Sequence, residues 1–432
     1  MLSVVLPVFN AGKTIEKTIE SILNNEQERI EIIIVNDGST DDTKDVLKKY
    51  EKDSRFKIIH QKNAGVSTAR NRALNSLHKN SQYVAFIDDS DCISKHYIDE
   101  HIKILKEYPE INLSIAPIIL EKNGKQTPQP LNFRFNISED IVDIEKYPDF
   151  VQYHLGGTVF RTEIFTKDRL RFVENLNFWE DALLINSVIL KDKKYGLVKT
   201  ANYYYDRNNT NSLSHSAWSD EARYTLHIKN SYFPLVKLSE RLYGEVKSYI
   251  QFLVARHYLQ YLLEHNQKSL IKYKSYINKD FEIWSRNLFE YIDIETIDAL
   301  DCPLNCKIYM YKLKKADINL IEIRKNIKLL IQKIDFKKGE VIFSFSSEAS
   351  GIDIDSQVFV GTNSKKPARV VENKKKYLLG KETKGDITLN KYSIPLKFRM
   401  IFRSAKVQVI DKFSNYEVTS PSLFKRFARK FK

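Results

Sequence analysis

Three carboxylates crowd into four positions of the sequence, directly after an apolar run that ends at Ile87. They belong to Asp88, Asp89 and Asp91. Carboxylates this close repel one another, and a bound cation or a hydrogen-bonding ligand relieves that repulsion. Their oxygens suit Mg²⁺ or Mn²⁺, ions that can also bridge to phosphates. The cluster therefore indicates a metal and phosphate site, although a solvated turn with a helix-capping aspartate explains the same residues.

A further carboxylate with a similar placement is that of Asp37, which follows the apolar run Ile30 to Val35. It can accept a hydrogen bond from the edge of a nucleotide base, and the ring of Phe9 can stack on such a base. Two plainer interpretations remain open. The residues after Asp37 are typical of a helix N-cap provided by Ser39 or Asp41, and Phe9 can simply pack in the core.

A basic side chain near the start of a predicted helix completes this set. The residues Asn63, Ala64 and Gly65 lead into the helical pattern Val66 to Leu77, in which Arg70 lies close to the helix start. A guanidinium group there can bind pyrophosphate, and the helix N-terminus adds its own N–H donors. A surface salt bridge would explain Arg70 as well.

Strand-like runs and helix-like patterns alternate through the N-terminal part of the chain. The predicted strands are Leu2 to Val8, Ile30 to Val35, Phe56 to Ile59 and Tyr83 to Ile87. This alternation predicts an α/β fold with a doubly wound, Rossmann-like parallel sheet. Ligands of such sheets bind beyond the carboxyl ends of the strands. Polar residues follow each predicted strand, so we expect the fold to bring them to one rim: Asn10, Asp37, Asn63 and Asp88.

The pattern changes twice in the remainder of the chain. An aromatic-rich helical pattern runs from about Asp220 to Lys333, and short strand-like segments separated by turn residues follow from about Gly339. We therefore predict four regions, with a small C-terminal all-β domain of sandwich type as the third. They are a nucleotide-binding α/β domain at 1–219, a helical extension at 220–335, the β domain at 336–420 and a basic amphipathic tail at 421–432.

The composition is compatible with several classes of partner. The chain of 432 residues carries a formal net charge of +14, which suits nucleic acid, an anionic membrane or an acidic polymer, although a general abundance of lysine explains it too. Three scattered cysteines are too few for a disulfide framework, and we find no signal peptide or membrane-spanning run. We therefore expect a cytoplasmic, reducing location.

The C-terminal tail has an amphipathic pattern. Leu423, Phe424, Phe427 and Phe431 fall on one helical face, and basic residues fill most of the rest. Such a pattern is typical of a helix that lies on an anionic membrane surface, here the inner face of the cell membrane. A frayed tail, or a helix packed on the β domain, is the alternative.

Four motifs in register support a more specific hypothesis. They are Leu6-Pro7-Val8-Phe9-Asn10, then Val35 to Asp41, then Asn63 to Gly65 with Ala69 to Asn71, and finally Phe86 to Asp91. Together they closely resemble the family 2 glycosyltransferases with the GT-A fold, over roughly Met1 to Ser216. The resemblance implies an enzyme that uses Mn²⁺ or Mg²⁺ and passes a sugar from a UDP-sugar to an acceptor hydroxyl with inversion.

The same resemblance suggests roles for individual residues. Pro7, Phe9 and Asp37 look like the uridine pocket, Asp88 like the ribose contact and Arg70 like a phosphate contact, with Asn10, Asn63 and Asp89 beside them in the nucleotide-sugar site. The metal motif departs from the family pattern, which usually has an aspartate where Ser90 stands here. A register shift restores the pattern and makes Asp89 and Asp91 the predicted metal ligands.

The catalytic base of the family lies in a Glu-Asp pair before a helix. Glu180 and Asp181 match that pair, so Asp181 is the predicted base that deprotonates the acceptor hydroxyl. A carboxylate pair favoured by the helix macrodipole explains the two residues without catalysis. Further along, Arg207 and His215 resemble phosphate contacts of the family's closing loop, and Gly156-Gly157 either shapes the acceptor side or forms a turn.

The order of helices and then a β domain is similar to that of wall teichoic acid glycosyltransferases. That similarity implies a bacterial cell-surface glycan or teichoic acid as acceptor and a homo-oligomer formed through the β domain. UDP-GlcNAc, UDP-Glc and UDP-Gal are the candidate donors. Two rivals remain: an inactive scaffold or nucleic-acid-binding protein, and a sugar nucleotidyltransferase. We expect no nucleic acid, because the clustered aspartates would repel its backbone.

Overall fold

The structure is a computed structural model that describes most of the chain. The described residues are 1–25, 30–176, 178–208, 217–316, 327–346, 357–360, 368–373, 377–382, 390–395, 406–410 and 415–419. The chain divides into two compact units, Met1–Val254 and Ala255–Lys432. Because this division does not test the four predicted regions, their boundaries remain predictions.

The first unit is built from alternating strands and helices. Its strands are β1 (Leu2–Val8), β2 (Ile30–Asp37), β3 (Phe56–Gln61), β4 (Tyr83–Phe86), β5 (Cys92–Ile93), β6 (Leu113–Ile115), β7 (Ile118–Lys122), β8 (Lys125–Pro128), β9 (Ile141–Asp143), β10 (Thr158–Arg161), β11 (Lys194–Leu197) and β12 (Tyr203–Asp206). Its helices are α1 (Ile15–Leu23), α2 (Thr43–Leu47), α3 (Val66–Leu74), α4 (Tyr97–Glu107), α5 (Glu163–Thr166), α6 (Glu180–Asp192) and α7 (Phe233–Tyr243), and α8 (Ser248–Tyr258) begins in it.

An eight-stranded sheet forms the centre of this unit, in the order β3-β2-β1-β4-β10-β6-β11-β9. The strands β1 to β4 pair in parallel, whereas β10 runs antiparallel to β4. Strand β1 is buried along its whole length, as expected for a strand covered on both faces. The predicted α/β fold is confirmed, and the carboxyl ends of β1 to β4 share one edge.

A smaller sheet lies in the same unit, in the order β5-β12-β7-β8. Strand β5 follows the aspartate cluster directly, and β12 pairs with it antiparallel through Tyr203 and Tyr204. This pairing brings the segment around Tyr203 back to a turn more than a hundred residues earlier in the sequence. The aspartate turn is therefore connected to the central sheet through β4 and to the smaller sheet through β5.

The second unit contains helices followed by antiparallel strands. Its helices are α9 (Gln267–Lys272), α10 (Lys279–Phe289), α11 (Ile294–Ala299) and α12 (Leu304–Lys314). Its strands are β13 (Leu329–Asp335), β14 (Glu340–Phe345), β15 (Gln357–Val360), β16 (Arg369–Asn373), β17 (Tyr377–Leu378), β18 (Lys381–Glu382), β19 (Asn390–Pro395), β20 (Lys406–Ile410) and β21 (Asn415–Thr419). They form the sheets β13-β14-β19-β16, β15-β20-β21 and β17-β18, which confirms the predicted all-β region. The tail 421–432 lies outside the described residues.

No helix within the described ranges is both long enough and apolar enough to span a bilayer.

Candidate active site

The loops after β1 and β2 are joined by Asn10. The Asn10 side-chain oxygen accepts a hydrogen bond from the Thr40 backbone N–H at 2.8 Å, and the Asn10 N–H donates to Ser39 Oγ at 2.9 Å. Asn10 adopts φ 53°, a left-handed conformation that asparagine tolerates better than most residues. Ser39 is thus engaged with Asn10, whereas Asp41 accepts from the Thr43 N–H at the start of α2.

The ring of Phe9, next to Asn10 in the sequence, is 47% exposed on this rim, while Pro7 lies buried within β1.

Asp37, at the end of β2, organises the loop that leads into α3. One carboxylate oxygen accepts from Gln61 Nε2 at 2.7 Å and from the Ala64 N–H at 2.8 Å, and the other accepts from the Gly65 N–H at 2.9 Å. The residue is only 4% exposed. A side chain at Gly38 would place its Cβ 2.6 Å from the backbone nitrogen of Asn63. Glycine at this position therefore lets the loops after β2 and β3 lie in contact. Asn63 is exposed at the rim.

Arg70 connects the aspartate turn to α6. It is 5% exposed, and its Nη2 donates to Asp88 Oδ1 at 3.0 Å while its Nη1 donates to Glu180 Oε1 at 2.8 Å. The guanidinium group also lies 5.3 Å from the ring centroid of Phe172. A residue on α3 therefore neutralises carboxylates that come from the end of β4 and from the start of α6. These are the contacts that bring the predicted site residues together.

Asp181 lies at the N-terminus of α6 and is half-buried. Its Oδ1 accepts from the Ala182 N–H at 2.7 Å. Burial raises the pKa of Asp181 to about 7, the negative charges of Glu180 and Asp88 add to the rise, and Arg70 opposes it. A carboxyl group with a near-neutral pKa can both accept and release a proton at working pH.

Asp91 is fixed by β12. It is 1% exposed, its Oδ2 accepts from the Tyr203 hydroxyl at 2.7 Å, and its Oδ1 accepts from the Asp206 N–H at 2.9 Å. The same Tyr203 oxygen accepts from the Asp88 N–H at 3.3 Å. Both oxygens of Asp91 are thus used to join the turn to the second sheet.

Asp89 has a more open environment. Its Oδ2 accepts from the Phe9 N–H at 2.9 Å, and among the other described residues only the backbone N–H of Asp89 itself interacts with this carboxylate as a donor. Burial raises the pKa of Asp89 to about 7, and the neighbouring charge of Asp88 contributes. A carboxylate held in this way would be stabilised in its charged form by a cation. Of the two predicted metal ligands, Asp89 is therefore the one whose described contacts fit that role better.

We expect Tyr203→Phe to weaken the turn that carries the aspartates. The substitution removes the hydroxyl that donates to buried Asp91, so the free energy of unfolding should fall by about 1–3 kcal/mol, and KM for the nucleotide sugar should rise. Urea denaturation and initial-rate kinetics measure the two effects. Tyr204→Phe is the matched control, since Tyr204 is half-buried and its hydroxyl has no described hydrogen bond. Equal stability of the two variants would contradict the role given to Tyr203.

The remaining predicted contacts are placed as follows. Arg207 is exposed just after β12, its backbone N–H donates to the Glu121 carbonyl at 2.8 Å, and its guanidinium group has no partner among the described residues. His215 lies outside the described residues. Sequence reasoning missed the role of Tyr203, for which the run of three tyrosines at 203–205 was the only signal.

Comparison with known proteins shows which proteins this chain resembles. Residues 3–168 match the model of the family described as glycosyl transferase family 2. The chain is similar to the minor teichoic acid biosynthesis protein GgaA of Bacillus subtilis (strain 168), at 28% identity over 340 residues that cover 76% of this chain and 75% of GgaA. It is also similar to GgaB of the same organism, at 31% identity over 310 residues, 68% of this chain but 33% of GgaB. The chain thus spans about a third of the length of GgaB.

Solved structures agree in fold. The crystal structure of S. aureus TarS 1–349 in complex with UDP-GlcNAc matches with a TM-score of 0.53 at 16% identity, covering 73% of this chain and 87% of that one. A second TarS structure covers 97% of this chain with a TM-score of 0.52 at 14% identity. The family match and the named relatives identify this protein as a glycosyltransferase, and the solved structures show that its α/β domain is GT-A-like. Residues 3–168 are, more particularly, a glycosyl transferase family 2 domain.

Proposed function

We propose that the protein is an inverting, metal-dependent enzyme that moves a sugar from a UDP-sugar to a hydroxyl of a bacterial cell-surface glycan or teichoic acid. One observation carries the proposal. Asp181 is a half-buried carboxyl group with its pKa raised to about 7, and Arg70 links its helix to Asp88 at the edge of the sheet. A proton acceptor thus lies beside the rim where nucleotides bind in folds of this kind.

The transfer needs one displacement. Asp181 takes the proton of the acceptor hydroxyl, and the acceptor oxygen forms a bond to the anomeric carbon of the donor. The bond from that carbon to the diphosphate oxygen breaks, and UDP leaves with the electron pair. A single displacement inverts the anomeric centre and requires no protein nucleophile. Phe9 stacks on the uracil and Asp88 binds the ribose, while Arg207 binds the phosphates.

The residues present fit a divalent cation held with the help of the substrate. Among the described residues, no three or more His, Cys, Asp or Glu side chains are grouped so that they could hold a metal ion. Asp89 would hold the ion, because its only described hydrogen-bond donors are the backbone N–H groups of Phe9 and of Asp89 itself. Asp91, two residues along the turn, has both oxygens engaged by Tyr203 and Asp206. Mn²⁺ or Mg²⁺ bound there would neutralise the charge that develops on the leaving diphosphate.

The donor and acceptor are inferred from relatives and from charge. TarS has been crystallised with UDP-GlcNAc, and GgaA and GgaB are named as teichoic acid biosynthesis proteins. The formal net charge of +14 favours a polyanionic acceptor such as a polyphosphate. We further propose that the protein acts in the cytoplasm, that its tail 421–432 binds the inner face of the membrane and that its C-terminal β region mediates homo-oligomerisation.

A donor screen tests the proposed function. Purified protein is incubated with Mn²⁺ and one of several UDP-sugars, with and without a teichoic acid polymer, and UDP release is measured. We expect one UDP-sugar to give acceptor-dependent UDP release that EDTA abolishes and Mn²⁺ restores. Absence of UDP release with every donor and polymer, together with no thermal stabilisation by UDP and Mn²⁺, would contradict the proposal.

The activity should depend on pH through the proposed base. Because the pKa of Asp181 is raised to about 7 and only the deprotonated form accepts a proton, kcat/KM should fall tenfold per pH unit well below that value. Burial is the largest cause of this rise, and Glu180, Arg70 and Asp88 are charged groups around Asp181 that modify it. A kcat/KM that stays constant from pH 8 down to pH 5 would rule out a base with this pKa.

Asp89→Asn should weaken metal binding. The amide keeps the size of the side chain but loses the charge that attracts the cation, so the Mn²⁺ concentration for half-maximal activity should rise at least about tenfold. A metal titration of the transfer rate measures this. Asp168→Asn is the control, because Asp168 is an exposed carboxylate whose described ion pair is with Lys191 at 3.7 Å. An unchanged metal requirement in Asp89→Asn would remove Asp89 from the proposed ligands.

A further inference from the structure

His154 lies on a short segment that is anchored at both ends. On one side, the Gln152 carbonyl accepts from Asn186 Nδ2 at 2.7 Å, and Asn186 belongs to α6, the helix that begins with the Glu180–Asp181 pair. On the other side, Gly156 lies against the Tyr203 ring so closely that a Cβ would be 2.7 Å from it. The segment that carries His154 is therefore attached to the helix of the proposed base on one side and packs on the tyrosine that holds the aspartate turn on the other.

The hydrogen bonds of Gln129 determine which nitrogen of His154 carries the proton. Gln129 Oε1 accepts from the Leu131 N–H at 2.6 Å, so the amide nitrogen is the group directed at His154, with Nε2 to Nε2 at 3.0 Å. An amide nitrogen can only donate. The Nε2 of His154 is therefore the acceptor, and the proton of the neutral ring is on Nδ1.

That proton has no acceptor among the described residues. His154 is half-buried, and its Nδ1 makes no hydrogen bond to any residue in the described part of the chain. Burial lowers the pKa of His154 to about 3, and the positive charges of Arg134 and Arg207 add to the effect. The ring stays neutral at any pH at which the enzyme works, so it neither takes nor gives a proton in the reaction.

We propose that the Nδ1–H of His154 donates a hydrogen bond to a hydroxyl oxygen of the acceptor and thereby orients the acceptor toward Asp181. The inference rests on the proposed function, because it names a contact within the same site. The segment that carries His154 is tied by Gln152 to Asn186 of α6, the helix that begins with the proposed base. A hydroxyl of the donor sugar has the same hydrogen-bonding chemistry, and the experiment separates the two.

Two substitutions divide the hydrogen bonds of the ring. In His154→Asn, the side-chain amide can replace the Nδ1–H donor. In His154→Gln, the longer amide can replace the Nε2 contact with Gln129, and the Nδ1 donor is lost. We expect kcat/KM for the acceptor to fall about tenfold to a hundredfold in His154→Gln and by less than about fivefold in His154→Asn. The rate of UDP-sugar hydrolysis in the absence of acceptor, and KM for the UDP-sugar, should stay within twofold in both.

Three results would overturn the inference. They are wild-type acceptor kinetics in His154→Gln, a greater loss in His154→Asn than in His154→Gln, and a fall in UDP-sugar hydrolysis that parallels the loss of transfer, which would assign His154 to the donor sugar. Absence of UDP release by the wild-type protein would instead refute the proposed function itself.

A measurement on the wild-type protein does not depend on how the variants fold. In ¹⁵N-histidine-labelled protein, long-range ¹H–¹⁵N correlation spectra report which ring nitrogen is protonated. We expect a neutral His154 ring with the proton on Nδ1, and a shift of that nitrogen on addition of teichoic acid polymer but not of UDP alone. A proton on Nε2, or a shift caused by UDP and not by the polymer, would contradict the inference.

Discussion

Asp181→Asn is expected to lower the rate of sugar transfer by about a thousandfold while leaving UDP affinity within about twofold. The amide has nearly the shape of the carboxylate and can still accept from the Ala182 N–H, which the carboxylate does at 2.7 Å. It cannot take a proton from the acceptor hydroxyl, and general base catalysis contributes factors of about 10² to 10⁴. Transfer is measured as acceptor-dependent UDP release, and UDP affinity by calorimetry in the presence of Mn²⁺.

The matched control is again Asp168→Asn, which changes the net charge equally but alters only an exposed carboxylate. It should keep the wild-type rate. The acid limb of the pH–rate profile should also disappear from the residual activity of Asp181→Asn, because the titrating group has been removed. Turnover at the wild-type rate by Asp181→Asn would refute the assignment of the base.

Arg70→Met is expected to be the most destabilising of the substitutions considered. The Arg70 guanidinium group is 5% exposed and pairs with both Glu180 and Asp88. Methionine is of similar length but leaves the Glu180 carboxylate, which is 7% exposed, without its counter-charge. Breaking a buried ion pair by removing one partner costs about 3–5 kcal/mol. Urea denaturation should show a loss of that size in the free energy of unfolding.

Two further variants make this prediction specific. Arg72→Met, two residues along the same helix, removes an exposed arginine that donates to Gln61 Oε1 at 3.2 Å, and it should change stability little. Adding Glu180→Gln to Arg70→Met should recover part of the loss, because the unpaired buried charge is removed. If Arg70→Met and Arg72→Met were equally stable, Arg70 would not have the structural role described.

The loss of Arg70 should also change the chemistry of the base. Arg70 is the positive charge that holds down the pKa of Asp181. Without it, burial and the negative charges of Glu180 and Asp88 are opposed only by the hydrogen bond from the Ala182 N–H, so the acid limb of the pH–rate profile should move to higher pH.

The parallel part of the central sheet, β1 to β4, could be predicted from the sequence because its strands are rich in apolar residues and polar residues follow each of them. The positions of the Asp88–Asp91 turn and of Asp37 followed from that pattern, since parallel strands end at one edge. The pattern could not show which hydrogen-bond donors each carboxylate would contact. Asp37 accepts two hydrogen bonds from the loop before α3 and one from Gln61 at the end of β3, and nothing in its spacing indicates that.

Contacts between distant segments explain most of what sequence reasoning missed. Tyr203 and Asp91 are 112 residues apart in sequence and meet only because β12 pairs with β5. The sequence placed Arg70 in α3 as a predicted phosphate contact, which stays a prediction, but it did not show that Arg70 pairs with Asp88 and Glu180, which come from two other elements. Local periodicity predicts elements, but long-range pairing decides which charges face each other.

The proposed donor site can be tested by a crystal structure of the protein grown with UDP and Mn²⁺, with the metal located by anomalous scattering. We expect the uracil on the ring of Phe9, the diphosphate at the carboxyl edge of the sheet, and a Mn²⁺ ion about 2.1 Å from a carboxylate oxygen of Asp89. The carboxylate of Asp181 should face the space beyond the terminal phosphate. UDP bound on a surface that includes neither the Asp88–Asp91 turn nor Asp181 would refute the proposed site.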